Sequence, residues 1–295
     1  MSYIPYTDRI SYTDRATILH EALPYIKMFQ GTVIVIKYGG NAMTSPELRR
    51  SVMEDIVLLA MVGIRVVVVH GGGPEINEML RAIGKEPKFI NGLRYTDEET
   101  MDIVQMVLCG KVGKNLAQAI NQGGGKAISV SGIDAEIIQA KQHDPKLGLV
   151  GDTITINPEP INLLLSGGYT PVISTVATGY LGDEGKSYNI NADNAASEIA
   201  ISLGARKLVL LTDIEGLRSN PDDETSLVSK TNLQGMENLM ESGAVTGGMI
   251  PKLKCCKESL ERGVKHVHIL DGRYPHSILI ELLTKKGMGT MITRK

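Results

Sequence analysis

Two lysines in this chain stand beside glycine pairs, more than two hundred residues apart. One is Lys37, in Val33-Ile-Val-Ile-Lys37-Tyr-Gly39-Gly40-Asn41; the other is Lys252, in Thr246-Gly247-Gly248-Met249-Ile250-Pro251-Lys252-Leu253. Glycine permits positive φ and brings backbone N–H groups close to an anion. A helix that begins at such a turn adds unpaired amides and its dipole. An ammonium group placed there can meet a phosphate. Each segment alone also fits a plain glycine turn with a solvated lysine, and Lys254 competes with Lys252 for the second role.

Three further segments carry chemistry. In Val66-Val-Val-Val-His70-Gly71-Gly72-Gly73-Pro74-Glu75, an apolar run ends in three consecutive glycines. Ordering three glycines costs much chain entropy, so a turn alone does not call for them. Amides at the following helix start would suit a carboxylate or phosphate. His70 could act as a base, but it fits better as a hydrogen-bonded residue at the strand end. Phosphoryl transfer to a carboxylate needs no base, because that acceptor is already ionised at neutral pH. In Asn91-Gly-Leu-Arg94-Tyr-Thr, the planar fork of Arg94 could clamp a carboxylate, with a surface salt bridge as the plain alternative. In Tyr188-Asn189-Ile-Asn191-Ala-Asp193-Asn194, alternate polar residues would share one side of an extended segment. Asn189 could donate to a substrate and Asp193 could hold lysines. Capping of the next helix by Asn191 or Asp193 fits the same residues.

The familiar nucleotide motifs are missing. GxxxxGK[ST] occurs nowhere, and the triple glycine lacks the third Gly of GxGxxG. The 31 basic residues nearly balance the 33 acidic ones without a long basic run, which gives nucleic acid or membrane binding no electrostatic support. The three cysteines, Cys109, Cys255 and Cys256, lack CxxC spacing and argue against a disulfide framework or zinc site. No metal ligands are assigned. Without an apolar leader or an 18-residue apolar stretch, the expected location is the cytoplasm.

These segments must be positioned by regular elements. Apolar runs at Val33–Ile36, Ile64–Val69, Ala127–Val130, Pro171–Ser174, Lys207–Thr212 and Val267–Leu270 suit strands covered on both faces. Between them lie helical patterns such as Met53, Ile56, Val57, Ala60 and Met61. The alternation predicts βαβ units and a mostly parallel sheet. Gln142–Gly151 and Gly179–Tyr188 interrupt it as polar excursions, read as small hairpins above the sheet. Residues 1–30 form a separate segment, an extra helix with the stripe Ile18, Leu19, Ala22, Leu23 and Ile26. Pro24 should kink or break it by crowding the carbonyl of His20.

In this order and at these spacings, the five segments resemble the amino acid kinase family over residues 31–294. HGGGP, NGLRYT, NINADNAA and TGGMIPK are most similar to the branch whose acceptor is N-acetyl-L-glutamate. The resemblance implies a three-layer αβα sandwich around a mainly parallel sheet of about eight strands. Residues 31–295 would form one kinase domain, its N-terminal half binding the acceptor and its C-terminal half binding ATP with Mg2+. It implies that ATP phosphorylates the side-chain carboxylate of N-acetyl-L-glutamate, an early step toward arginine. Lys37 and Lys252 match the lysines that stabilise the transferring group, and Asp193 the carboxylate that organises them. Gly72, Gly73, Arg94 and Asn189 match acceptor-binding positions. Gly40 matches a glycine facing the phosphates, and Asp213 lies where the nucleotide pocket begins. A kinase for another acidic acceptor, or a non-catalytic arginine sensor, shares the fold.

The extra helix resembles that of arginine-inhibited members, in which such helices interlace three dimers into a hexamer. Val267-His268-Ile-Leu-Asp271-Gly-Arg273, then Glu281, then Gly287-Met288-Gly289-Thr290 resemble their arginine pocket. The implied effector contacts are His268, Glu281, Gly287 and Gly289, with L-arginine as feedback inhibitor. The family often has a lysine shortly after the glycine matching Gly216; here Arg218 and Ser219 stand there. The resemblance also admits a nitrogen-signalling regulatory protein as a partner.

Overall fold

The strand Val33–Tyr38 explains why the apolar runs are continuous. Ile34, Ile36 and Tyr38 enter one core, Val35 enters another, and all but Val33 are buried. The strand Arg65–His70 divides in the same way, with Val66 and Val68 opposed to Val67 and Val69. A computed structural model describes residues 11–40, 45–245 and 247–295. Asn41, Thr44, Thr246 and the first ten residues of the expected N-terminal segment lie outside the described residues.

The main sheet has eight strands in the order Lys230–Asn232, Thr290–Thr293, His266–Asp271, Lys207–Thr212, Val33–Tyr38, Arg65–His70, Thr170–Ser174, Ala127–Ser131. The last six run parallel. Thr290–Thr293 runs antiparallel to His266–Asp271, and Lys230–Asn232 follows it. On one face, residues of the helices Pro46–Met61, Gly73–Ala82, Glu98–Gln105 and Gly113–Gln122 build a core with Phe29. On the other face lie Ala192–Ser202, Met249–Glu261, Glu159–Ser166 and Leu233–Glu241. This is the expected sandwich of helices on both sides of a mainly parallel sheet.

Two expectations need correction, and a third holds but is incomplete. The polar excursions do join antiparallel pairs, Ile138–Gln142 with Val150–Ile156 and Val176–Gly179 with Ser187–Ile190. The two hairpins also pair with each other and close a four-stranded barrel, which local turn signals cannot reveal. Met61 is 74% exposed and lies off the buried helix face. The helix Tyr12–Phe29 does not break at Pro24. His20 is exposed, so water can satisfy the carbonyl that proline leaves without its donor. Most of that helix's apolar stripe faces outward: Ile18, Leu19 and Leu23 are exposed, whereas Ala22 and Ile26 pack on the core.

The helix Ser277–Leu283 is capped from elsewhere. His276, at its start, has φ of 59°, a conformation uncommon outside glycine. Its N–H donates to Ser51 Oγ at 2.7 Å, and its Nδ1 lies 2.6 Å from Asp55 Oδ1. The amides of Ile278 and Leu279 face the Asp55 carboxyl and favour its charged form, while its Oδ2 is buried without a partner among the described residues. Helix Pro46–Met61 thus brings Ser51 and Asp55 to the start of another helix.

Burial lifts Asp55 from 3.8 to about 6, against the opposing bonds from His276 and the two amides. A carboxyl raised on folding contributes stability below its unfolded value and loses it as pH rises through the folded value. Asp55→Asn keeps an acceptor but cannot ionise. Between about pH 4 and pH 7, the stability of this variant relative to the parent should therefore rise by roughly 1–3 kcal/mol in denaturant unfolding. A constant difference across that range would contradict this account.

Candidate functional site

The site is organised by Asp193, in the first turn of the helix Ala192–Ser202. Asn191 provides the cap, its side chain accepting from the amides of Asp193 and Asn194. The chain therefore leaves the extended conformation before Asp193, and the three polar residues do not share one strand face. That frees the Asp193 carboxylate to meet both lysines. Lys37 Nζ lies 3.0 Å from Oδ1, and Lys252 Nζ donates to Oδ2. Lys254 is exposed and is not the lysine that meets Asp193.

Burial alone would raise the Asp193 carboxyl. The two ammonium groups and their hydrogen bonds outweigh it, so the group lies below its ordinary range. One carboxylate thus holds two cations that would otherwise repel each other. The side chains of Lys37 and Asp193 are only 10% and 11% exposed, so solvent screens them weakly.

Next to Lys37 is a cavity of about 220 Å³. Gly40, Gly72, Gly73, Arg94 and Asn189 all line it, together with apolar side chains. Gly40 turns the chain with φ of 70°. A methyl group on Gly72 would come within 2.7 Å of Leu108 Cδ2, so a side chain there would displace the wall. Arg94 is buried rather than a surface ion pair. It stacks 4.8 Å from the Phe89 ring, and its Nη2 donates to the Gly73 carbonyl at 3.2 Å. Its Nη1 is buried with no partner among the described residues. Burial lowers Arg94 to about 10, which leaves it charged at neutral pH. Asn189 Nδ2 donates to Thr96 Oγ1 at 3.2 Å. His70 is fully buried, and its Nδ1 lies 2.9 Å from the Gly71 carbonyl. Burial lowers it to about 4, so it is a neutral strand-end residue.

On the other side of the lysine pair is a cleft of about 610 Å³, bordered by Asp213, Gly216, Arg218, Arg273 and Lys252. Arg218 pairs with Glu215, and Arg273 grips Asp271 with two nitrogens. Gly216 has φ of 155°, and a methyl group on it would lie 2.5 Å from Thr290 Oγ1. A third cavity, bordered by Asn91, Asp193, Gly247, Gly248 and Lys252, adjoins the lysine pair as well.

His268, Glu281, Gly287 and Gly289 form a separate cluster. His268 Nε2 is 2.7 Å from Lys207 Nζ and its Nδ1 is 2.6 Å from Glu281 Oε1. Glu281 Oε2 accepts from the amides of Met288 and Gly289, and a methyl group on Gly287 would strike it. Burial lowers Lys207 to about 8 and, with the Lys207 charge, pushes His268 down against Glu281's opposing pull.

Sequence reasoning missed Leu108 and the segment that carries it. Met106–Val112 is a π-helical turn between the helices Glu98–Gln105 and Gly113–Gln122. Gly110 and Gly113, inside an otherwise helical pattern, were the available signal.

Comparison with known proteins places this geometry. Residues 32–271 match the amino acid kinase family model. The acetylglutamate kinase of Thermoanaerobacter sp. (strain X514) is 51% identical over 98% of this chain and 96% of its own. That of Clostridioides difficile (strain 630) is 52% identical over 96% of this chain and 98% of its own. The N-acetylglutamate synthase from Neisseria gonorrhoeae, solved with coenzyme A and N-acetyl-glutamate, aligns with a TM-score of 0.83 at 27% identity. That alignment covers 97% of this chain but 64% of the synthase, so this chain spans less than two thirds of that protein. Giardia carbamate kinase aligns with a TM-score of 0.67 at 17% identity over 90% of this chain and 99% of its own, a likeness of fold. The matched segment takes in both lysines, Asp193 and the central strands that position them, and this chain belongs to the amino acid kinase family.

Proposed function

We propose that this protein transfers the γ-phosphoryl group of ATP to the side-chain carboxylate of N-acetyl-L-glutamate, giving an acyl phosphate and ADP. One observation carries the reading: a buried carboxylate holds two lysines between a small arginine-bearing pocket and a larger cleft. Relatives about half identical over nearly the whole chain, and named acetylglutamate kinase, support the choice of acceptor. The small pocket takes the acceptor, with Arg94 on its second carboxylate and Asn189 and the amides of Gly72 and Gly73 alongside. The larger cleft, beginning at Asp213, takes ATP. The protein acts in the cytoplasm; no helix among the described residues is long and apolar enough to cross a membrane.

A carboxylate oxygen of the acceptor attacks the γ-phosphorus in line, and the bond to the bridging oxygen of ADP breaks. Charge is spread over the non-bridging oxygens, so catalysis is positioning plus electrostatic stabilisation. Lys37 and Lys252 supply that charge, and amides such as that of Gly40 fill the gaps. Magnesium would arrive with ATP as part of the substrate and would supply positive charge to its phosphates. Among the described residues, no group of three His, Cys, Asp or Glu side chains is placed to hold an ion unaided.

The reading extends to regulation. L-arginine inhibits at the cluster of His268, Glu281, Gly287 and Gly289, where it must compete with His268 and the amides of Met288 and Gly289 for Glu281. The outward stripe of helix Tyr12–Phe29, with Leu19 75% exposed, supports interlacing with a second copy in a trimer of dimers.

An ADP-release assay comparing N-acetylglutamate, glutamate, aspartate and carbamate tests the activity directly; turnover of another acceptor in preference to the first overturns it. Lys37→Ala and Lys252→Ala should each fold and lower kcat by roughly 10²-fold or more. Near-normal kcat in either removes that lysine from the mechanism. Arg94→Lys should raise KM for the acceptor far more than KM for ATP, since an ammonium cannot replace a planar fork. Deleting residues 1–27 should yield active dimers with weakened arginine inhibition, and Glu281→Gln should abolish inhibition while sparing catalysis. Sedimentation of the intact protein as a dimer, with activity unchanged in millimolar arginine, would refute the regulatory part.

A further inference from the structure

Thr96, the last residue of Asn91-Gly-Leu-Arg94-Tyr-Thr, is fully buried and lies outside the wall of the small cavity. A buried hydroxyl is costly unless it is bonded. This one makes two bonds, and each goes to a residue of the acceptor pocket. Its Oγ1 donates to the Arg94 carbonyl at 2.8 Å and accepts from Asn189 Nδ2 at 3.2 Å. The two bonds differ in kind. A carbonyl oxygen can only accept, and a hydroxyl carries one proton. The proton of Thr96 therefore goes to Arg94, and Oγ1 meets Asn189 as an acceptor. The end of the Asn189 amide that turns toward Thr96 must be the nitrogen.

The backbone around this link is held without the hydroxyl. The Leu149 amide donates to the Thr96 carbonyl at 2.6 Å, and the Asn189 amide donates to the Leu149 carbonyl at 2.9 Å. The Thr96 amide in turn donates to the Leu147 carbonyl at 3.0 Å. Gly148 packs so closely that a methyl group on it would strike the Thr96 carbonyl oxygen. Strand Ser187–Ile190 and the segment after Arg94 thus keep their spacing through main-chain bonds. What the hydroxyl adds is the direction of one amide. Among the described residues, Thr96 is the one hydrogen-bond partner of the Asn189 side chain. Without it the amide can turn over, because its two ends have nearly the same shape.

We propose that Thr96 is a positioning residue for the acceptor pocket: it draws the nitrogen of Asn189 out of the pocket, leaves the Asn189 carbonyl oxygen facing the ligand, and so selects an acceptor that carries an N–H beside the carboxylate held by Arg94. The proposal rests on the acceptor reading given above and adds to it the residue that sets the polarity of Asn189. Asn189 then accepts a hydrogen bond from the ligand, the opposite of the donor role its sequence suggests. Through its other bond Thr96 holds the main chain of Arg94. One oxygen atom thereby places both the cationic anchor and the Asn189 amide.

The test compares kcat/KM for N-acetyl-L-glutamate and for its acetoxy ester analogue, in which an oxygen replaces the N–H, in the parent, Thr96→Val and Thr96→Ser. The parent should prefer the N–H acceptor by roughly tenfold or more, the scale for facing a buried acceptor with a group that cannot donate. Thr96→Val keeps the shape and removes both bonds; it should cut that preference to about a third or less, with KM for ATP unchanged. Thr96→Ser retains the hydroxyl and should retain the parental preference. A merely structural loss would lower turnover of both acceptors together and leave their ratio alone. A folded Thr96→Val with a preference within about twofold of the parent's overturns the proposal. So does a Thr96→Ser that behaves like Thr96→Val, or a rise in KM for ATP that matches the rise for the acceptor. If Thr96→Val folds poorly, Thr96→Ala makes the same comparison. A parent that uses both acceptors equally well overturns the proposal without any variant. A parent active on N-acetylglutamate, with an unchanged ratio in the variants, removes the role of Thr96 alone. A parent that fails on both acceptors removes the acceptor reading with it.

Discussion

One carboxylate between two ammonium groups is the constraint on which this site depends. Lys37 ends a central strand and Lys252 lies in the first turn of a helix; without Asp193 their charges would repel inside a poorly screened space. Removing one partner of a buried charge cluster costs about 3–5 kcal/mol, because the remainder is left uncompensated. The surrounding packing follows from the need to bring three separate elements to one point. Ala195, Ala196 and Ser197 are small and buried, which lets the helix of Asp193 lie close against its neighbours. Ser197 and Ser259 share a 2.6 Å hydrogen bond, and Cys255 Sγ donates to the Asp193 carbonyl at 3.1 Å. These contacts fix the helix of Lys252 against the helix of Asp193 to the tolerance that charge placement demands.

The charge balance of the site then explains its appetite for anions. Asp193 offsets one of its two lysines, which leaves a net positive charge facing the cavities. Arg94 adds another, with Nη1 buried and without a partner among the described residues. An unpaired buried donor is costly, and that cost is relieved when a carboxylate arrives. Binding free energy is thereby concentrated on ligands with oxygens at the right spacing. The neutral, buried His70 contributes no charge; it only completes the strand end from which the glycines turn.

Much of this was legible in the residues. The apolar runs at Val33–Ile36 and Lys207–Thr212 mark central strands, since only a doubly covered strand can do without polar alternation. The order of the glycine segments carries the site residues, because in a parallel sheet such turns cluster at one edge. What stayed hidden depends on distant partners. The barrel strands pair across tens of residues, and no turn signal announces Asn189 beside Val150. Pro24 suggests a break, yet an exposed helix can lose one bond to water and continue. The π-helical turn leaves only Gly110 and Gly113 as a trace, and glycine within a helical pattern has several meanings.

The capping of one helix by another bears on how distant parts of the fold can influence the lysines. Glu281 lies on the helix Ser277–Leu283, whose first turn is bound by Ser51 and Asp55. Those two residues belong to the helix that follows Lys37 and its glycines. The same short helix also packs against Tyr12–Phe29. A ligand at Glu281 can act on catalysis only by favouring one arrangement of an element that the catalytic groups also feel. Helix Pro46–Met61 meets that condition, because it is bonded to His276 at the start of the helix of Glu281 through Ser51 and Asp55 and begins just after the glycine turn. Asp55 is fully buried and bonded to His276, so a shift of either helix would cost it that bond. A joint of this kind resists sliding of one helix past the other.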